Sequence, residues 1–157
     1  MPARKDLRLR ILLLGAGLAA LGAVWARTAA DPAPLGHGLF IGTVKDSEWK
    51  PSTNLPPGSE YHLLREDPDT QGIQAIVRFP AGYAVPEHTH ACDETFVVLK
   101  GKLWVKAGEL EEVLGPGGYA VLPAGVPHEL KAKTRWGKTS FLATTNAPYS
   151  LKYTGSR

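Results

Sequence analysis

Beyond residue 36 the chain sets short apolar runs between clusters of glycine and proline, and almost none of it repeats apolar residues at helical spacing. The runs at 39–44, 60–64, 73–79, 94–99, 103–105, 111–114, 119–121, 128–131 and 139–144 predict strands. Turns are marked by Pro56-Pro-Gly58, Pro80-Ala-Gly82, Lys100-Gly-Lys102, Ala107-Gly108 and Gly115-Pro-Gly-Gly118. Many short strands with this punctuation predict an all-β, closed or sandwiched antiparallel barrel. Phe96, Val98, Trp104, Tyr119, Val121 and Phe141 are the candidates for its interior. Residues 47–58 hold three prolines and few apolar side chains, which predicts an edge loop or arm.

The N-terminus follows a different pattern. Arg4, Lys5, Arg8 and Arg10 precede an uncharged apolar run of 16 residues, 11–26, with small residues near Ala26 and Ala30. This describes a secretory signal peptide over 1–30, followed by a Pro-containing linker at 31–36 and one domain at 37–157. The expected location is the periplasm or the medium. The alternative is an uncleaved anchor helix that attaches the domain to the membrane through 11–26, although the run falls short of the ~20 residues a span needs. The leader also accounts for the charge. It carries five basic groups and one acid, so a whole-chain charge of +3 leaves −1 for residues 31–157. A nearly neutral domain has no electrostatic footprint for nucleic acid.

Three of the five histidines fall at telling positions. His88 and His90 stand two apart, so on a strand they project to one side. A turn near Cys92 and Asp93 would bring Glu94 to join them, and His128 must arrive from a separate strand. Three imidazoles and a carboxylate suit Fe(II), Mn, Ni, Cu or Zn and disfavour Ca. Four protein ligands on an octahedral ion would leave about two positions open for a small molecule or dioxygen. His37 and His62 read as ordinary solvated or hydrogen-bonded residues, Glu87 and Asp93 as an exposed face. Cys92, the single cysteine, reads as a small buried residue in a turn rather than a reactive thiol. Gln74 and Arg78 would meet a polar substrate if they face inward.

The two segments resemble the two signature motifs of the cupin superfamily. Gly82, His88, His90, Glu94 and Gly101 match the first, spanning 82–101. Gly117, Pro123, Gly125 and His128 match the second, spanning 117–128, and the chain departs from it at Ala132, where many cupins carry Asn. Fifteen residues separate the motifs, which resembles small single-domain bacterial cupins. The runs Ser47-Glu-Trp49, Leu63-Leu-Arg-Glu-Asp-Pro68 and Arg78-Phe-Pro-Ala-Gly82 resemble ChrR-type and acetylacetone-dioxygenase-like cupins. The resemblance implies a jelly-roll barrel, one divalent transition metal per chain with iron(II) favoured, and His88, His90, Glu94 and His128 as its ligands. It also implies a homodimer through edge strands.

Cupins host many activities, so fold alone does not choose among them. The leading expectation is an exported metal-dependent dioxygenase acting on a small carbonyl or phenolic compound. A non-catalytic metal- or ligand-binding sensor is the alternative that the ChrR resemblance implies. A sugar isomerase or epimerase is the third, and no Lys or Glu is convincingly placed as its base. No other catalytic acid or base can be named from the sequence.

Overall fold

The computed structural model describes residues 39–45 and 48–155. The leader, the linker and His37 lie outside the described residues. Among the described residues eleven strands are formed: β1 (Lys50–Pro51), β2 (Glu60–Glu66), β3 (Gly72–Pro80), β4 (Ala84–Thr89), β5 (Glu94–Lys100), β6 (Leu103–Ala107), β7 (Leu110–Leu114), β8 (Tyr119–Leu122), β9 (His128–Ala132), β10 (Lys138–Pro148) and β11 (Lys152–Tyr153). They pair antiparallel into two sheets, of order β1-β2-β3-β10-β5-β8 and β11-β4-β9-β6-β7. The all-β expectation is met by two antiparallel sheets that bury a common interior.

That interior follows from alternation. On β5, Glu94, Phe96 and Val98 are buried while Thr95 and Val97 are only half-buried, and on β6 Leu103 and Val105 point inward past Trp104. Phe79, Tyr83, Val85, Phe96, Leu130 and Phe141 form much of one apolar cluster. The Phe79 ring stands 4.5 Å from Tyr83 and 5.0 Å from Phe141, the latter edge-on, as ring quadrupoles prefer.

Three interior candidates fail by one position. Tyr119 and Val121 are 67% and 60% exposed, and Trp104 turns outward to donate its indole N–H to Glu111 at 2.7 Å. The inward residues of β8 are Ala120, packed against the core, and Leu122. A strand read in the wrong phase exchanges every side chain between faces. Residues 39–44 also form no strand, and Leu39 and Ile41 are exposed. Neither sheet of the described residues pairs with this run, so no ladder forms there. Conversely β1 and β11 are strands that the pattern did not predict, and β4 carries His88 but ends at Thr89, so His90 is not on the strand that the two-apart spacing supposes.

Gly101 shows why the first motif ends in glycine. Its φ is +83°, and a Cβ there would lie 2.6 Å from Thr134 Oγ1 and 2.9 Å from Thr139 Cα. The β5–β6 turn is thereby pressed against a buried Thr139, whose hydroxyl reaches the Lys102 carbonyl at 3.1 Å.

On the outer face Arg78 lies over the Trp49 ring, 3.8 Å from its centroid, and donates to Glu60 at 2.7 Å. Gln74 is also on this exposed side, so neither residue meets the interior. Hydrogen bonds from Arg78 and Lys138 hold the Glu60 carboxyl at about 2, well below the usual range. A carboxyl depressed in the folded state adds stability above its unfolded value, and loses it as pH falls toward the folded one. Glu60→Gln is therefore expected to flatten part of the decline in melting temperature between about pH 4.5 and pH 2. A pH series of thermal melts on both proteins checks this, and parallel curves would count against it. Because Glu60 is partly exposed, added salt should shrink the difference.

Candidate metal centre

The site is built where the two sheets meet. His88 on β4 and His128 on β9 are direct cross-strand partners in the five-stranded sheet, with ring centroids 4.2 Å apart. Glu94 opens β5 in the other sheet, and His90 lies in the connection between them.

A bulge aims His88. Between Val85 and His88 the β4 strand holds one residue more than its partner span on β9, from Leu130 to His128. Pro86, which has no N–H to give the ladder, sits in this bulge. Val85 and His88 consequently share the buried side although they are three apart, with Pro86 and Glu87 exposed between them. The displaced Pro86 carbonyl accepts from His88 Nδ1 at 2.8 Å.

The other two imidazoles are held alike. His128 Nδ1 donates to the Val126 carbonyl at 3.0 Å, and His90 Nδ1 to the Ser150 carbonyl. A ring whose Nδ1–H is occupied by a carbonyl keeps its Nε2 lone pair free. One ligating atom from each of His88, His90 and His128 lies within 4.8 Å of the others, and all three residues are buried. Glu94 Oε2 stands 3.4 Å from His90 Nε2 and 3.5 Å from His128 Nε2.

The electrostatics leave an unmet demand. Among the described residues, Nε2 of His90 and His128 and Oε2 of Glu94 are buried polar atoms without a hydrogen-bond partner. Such groups are costly unless something satisfies them, and three that converge fit one shared cation. Burial, then the neighbouring His128, pushes His88 down to about 4, so this imidazole is neutral and able to donate its lone pair. Burial alone would raise Glu94, but the neighbouring His128 and His90 outweigh it and hold the carboxyl below its usual range. His90 is drawn upward because Glu94 outweighs its own desolvation. Taken together, three imidazoles and an ionised carboxylate have the chemistry of a site for one divalent transition ion.

All four residues singled out from the sequence are thus brought together. Cys92 is buried, and burial pushes its thiol up, away from reactivity. Glu87 is exposed, as expected, and accepts from the Thr154 hydroxyl. Asp93 is also exposed yet structural: it accepts from the Ala124 N–H and the Asn146 side chain, both at close range. His62 is hydrogen-bonded to the Glu48 carbonyl on the far side of the sheet.

Sequence reasoning missed the C-terminal strap. Ser150 supplies the carbonyl that fixes His90 and a hydroxyl that accepts from Ala91 N–H at 2.9 Å. Tyr149 lies beside His90, with ring centroids 4.9 Å apart, and burial raises its phenol well above the usual value. Strand β11 then pairs with β4 at His88 and Thr89. The alternation of Tyr149, Leu151 and Tyr153 with polar neighbours was the available signal.

An apolar cavity of about 240 Å³ opens beside His88 and Glu94. Leu63, Val77, Phe79 and Phe141 wall it, and Ser52 to Leu55 of the N-terminal arm cover part of it.

Residues 37–148 match the model of the ChrR cupin-like domain family. Among curated proteins, the chain is 36% identical over 89 residues to the DNA damage-repair/toleration protein DRT102 of Arabidopsis thaliana, covering 55% of this chain and 27% of that protein. It is 37% identical over 54 residues to the acetylacetone-cleaving enzyme of Acinetobacter johnsonii, covering 34% and 35%. It therefore spans only about a quarter to a third of these curated relatives. The acetylacetone dioxygenase structure from Acinetobacter johnsonii superimposes with a TM-score of 0.63 at 22% identity, over 80% of this chain and 85% of that one. That likeness concerns the fold.

Proposed function

Because the chain belongs to the ChrR cupin-like family of the cupin superfamily, we propose that it binds one divalent transition metal through His88, His90, Glu94 and His128 and acts as a dioxygenase on a small carbonyl or phenolic compound. The observation that carries this reading is the meeting of unpartnered buried donor atoms with the end of an apolar cavity. When bound, iron(II) or a similar ion would supply Lewis acidity toward a chelating oxygen and redox chemistry toward dioxygen.

The rest is the work of the chain. The Pro86, Ser150 and Val126 carbonyls hold the three imidazoles with Nε2 inward, so ligation needs no tautomer change. Glu94 brings a negative charge that offsets part of the ion's own. The walls of the cavity exclude water and take up the hydrocarbon part of a substrate. A sugar suits this lining poorly, which argues against isomerase chemistry.

The test starts with elemental analysis of protein purified without chelators or metal-affinity steps. Near one iron per chain is expected, with dioxygen uptake when acetylacetone is added. Metal without turnover across small diketones and phenols would make the protein a binding module. Failure to take up iron, manganese, nickel, copper or zinc would overturn the proposal.

A further inference from the structure

The cavity beside the metal centre carries information about what it accepts. Its volume of about 240 Å³ lies below the usual range for drug-sized ligands. Leu63, Ile73, Val77, Leu130 and Phe141 present hydrocarbon from both sheets. His88, Glu94 and Tyr149 line the end next to the metal centre, while Ser52, Thr53, Asn54, Tyr61 and Thr145 add uncharged polar groups elsewhere in the lining. No lysine or arginine is among the lining residues. A charged group placed along the walls would lose its water and meet no opposite charge from the protein.

Tyr149 stands out at that end. It follows β10 directly, in the strap that runs on to β11. Its position is fixed from both sides: Ser150 is tied to His90 and Ala91, and Tyr153 reaches the Asn54 carbonyl in the arm at 3.4 Å. The Tyr149 hydroxyl itself has no hydrogen-bond partner among the described residues. Its oxygen is not among the buried unpartnered atoms, so it is open to donate to an oxygen that enters the cavity.

We propose that the cavity selects an uncharged small molecule with a hydrocarbon body and an acceptor oxygen at its polar end, and that Tyr149 sets its orientation by donating a hydrogen bond to that oxygen. This rests on the metal assignment only for where the oxygen lies. The selection belongs to the walls and to Tyr149.

Acetophenone, benzoate and toluene, titrated into the full chain by calorimetry in both metal-free and metal-loaded forms, test it. Acetophenone and toluene are expected to bind the metal-free protein, and benzoate at least about tenfold more weakly than acetophenone, the cost of an unpaired buried charge. Tyr149→Phe should weaken acetophenone roughly three- to tenfold, the worth of one hydrogen bond, and leave toluene unchanged. Equal binding of benzoate and acetophenone to the metal-free form would overturn the proposal, as would no binding by either neutral probe. If Tyr149→Phe lowers toluene as much as acetophenone, the residue is only a wall and its orienting role is lost. The metal-free arm reports on the cavity alone. Failed metal uptake with intact acetophenone selectivity would sink the dioxygenase reading and leave this one standing.

Discussion

Replacing His128 with alanine is expected to abolish the stabilisation that metal gives the protein. A ligand that binds only the folded state adds about 4 kcal/mol when present at a thousand times its dissociation constant. For a domain of this size that corresponds to roughly 10–20 °C in melting temperature. Wild-type protein should therefore melt lower by that amount after chelation. In His128→Ala the difference between loaded and chelated samples should fall to near zero, because one donor of the set is gone and Glu94 Oε2 loses the nitrogen 3.5 Å away. The absolute melting temperature is a poorer guide, since removing a buried imbalance partner costs stability by itself. His62→Ala serves as the control. That histidine is hydrogen-bonded to Glu48 outside the interior, so its variant should keep the full chelation shift. A wild-type protein indifferent to chelation would refute the metal assignment, and a His128→Ala variant with an undiminished shift would move the ion elsewhere.

The candidate site was legible because its information is local. His88, His90 and Glu94 lie within seven residues, and the glycines around them mark turns the backbone must make, as the crowding at Gly101 shows. His128 arrives from a strand whose register the sequence could not give, yet its own motif marked it. Strand phase was less legible. Alternation predicts that neighbours face opposite ways, but it does not say which set faces in, and in β8 Tyr119 and Val121 point outward while Ala120 and Leu122 take the interior. The β4 strand was hidden for a physical reason as well: Pro86 interrupts its pattern, and the bulge at that point puts Val85 and His88 on one side at a spacing of three. Least legible was the strap. Ser150 acts through a backbone carbonyl, which any residue possesses, so side-chain chemistry gave no clue to its hold on His90.

Truncating Phe79 to alanine is expected to cost about 3–5 kcal/mol, one of the largest single losses available in this fold. The ring is 1% exposed and lies between Tyr83 and Phe141, so its removal forfeits both transfer energy and two aromatic contacts. The surroundings can close the gap only in part. Tyr83 is anchored by donating its hydroxyl to the Pro56 carbonyl, and Phe141 sits on β10, paired on both edges with β3 and β5. A fall of roughly 10–25 °C in melting temperature should follow. Trp104→Ala supplies the contrast. Although it deletes a larger side chain, Trp104 faces outward with its indole bonded to Glu111, so its loss should cost about 1 kcal/mol or less. If the two variants melted alike, the phase assigned to β3 and β6 would be wrong. Phe79 also lines the cavity, which gives a second readout. Its void adjoins the ligand space, so toluene should restore more stability to Phe79→Ala than to wild type, by filling volume the protein cannot collapse.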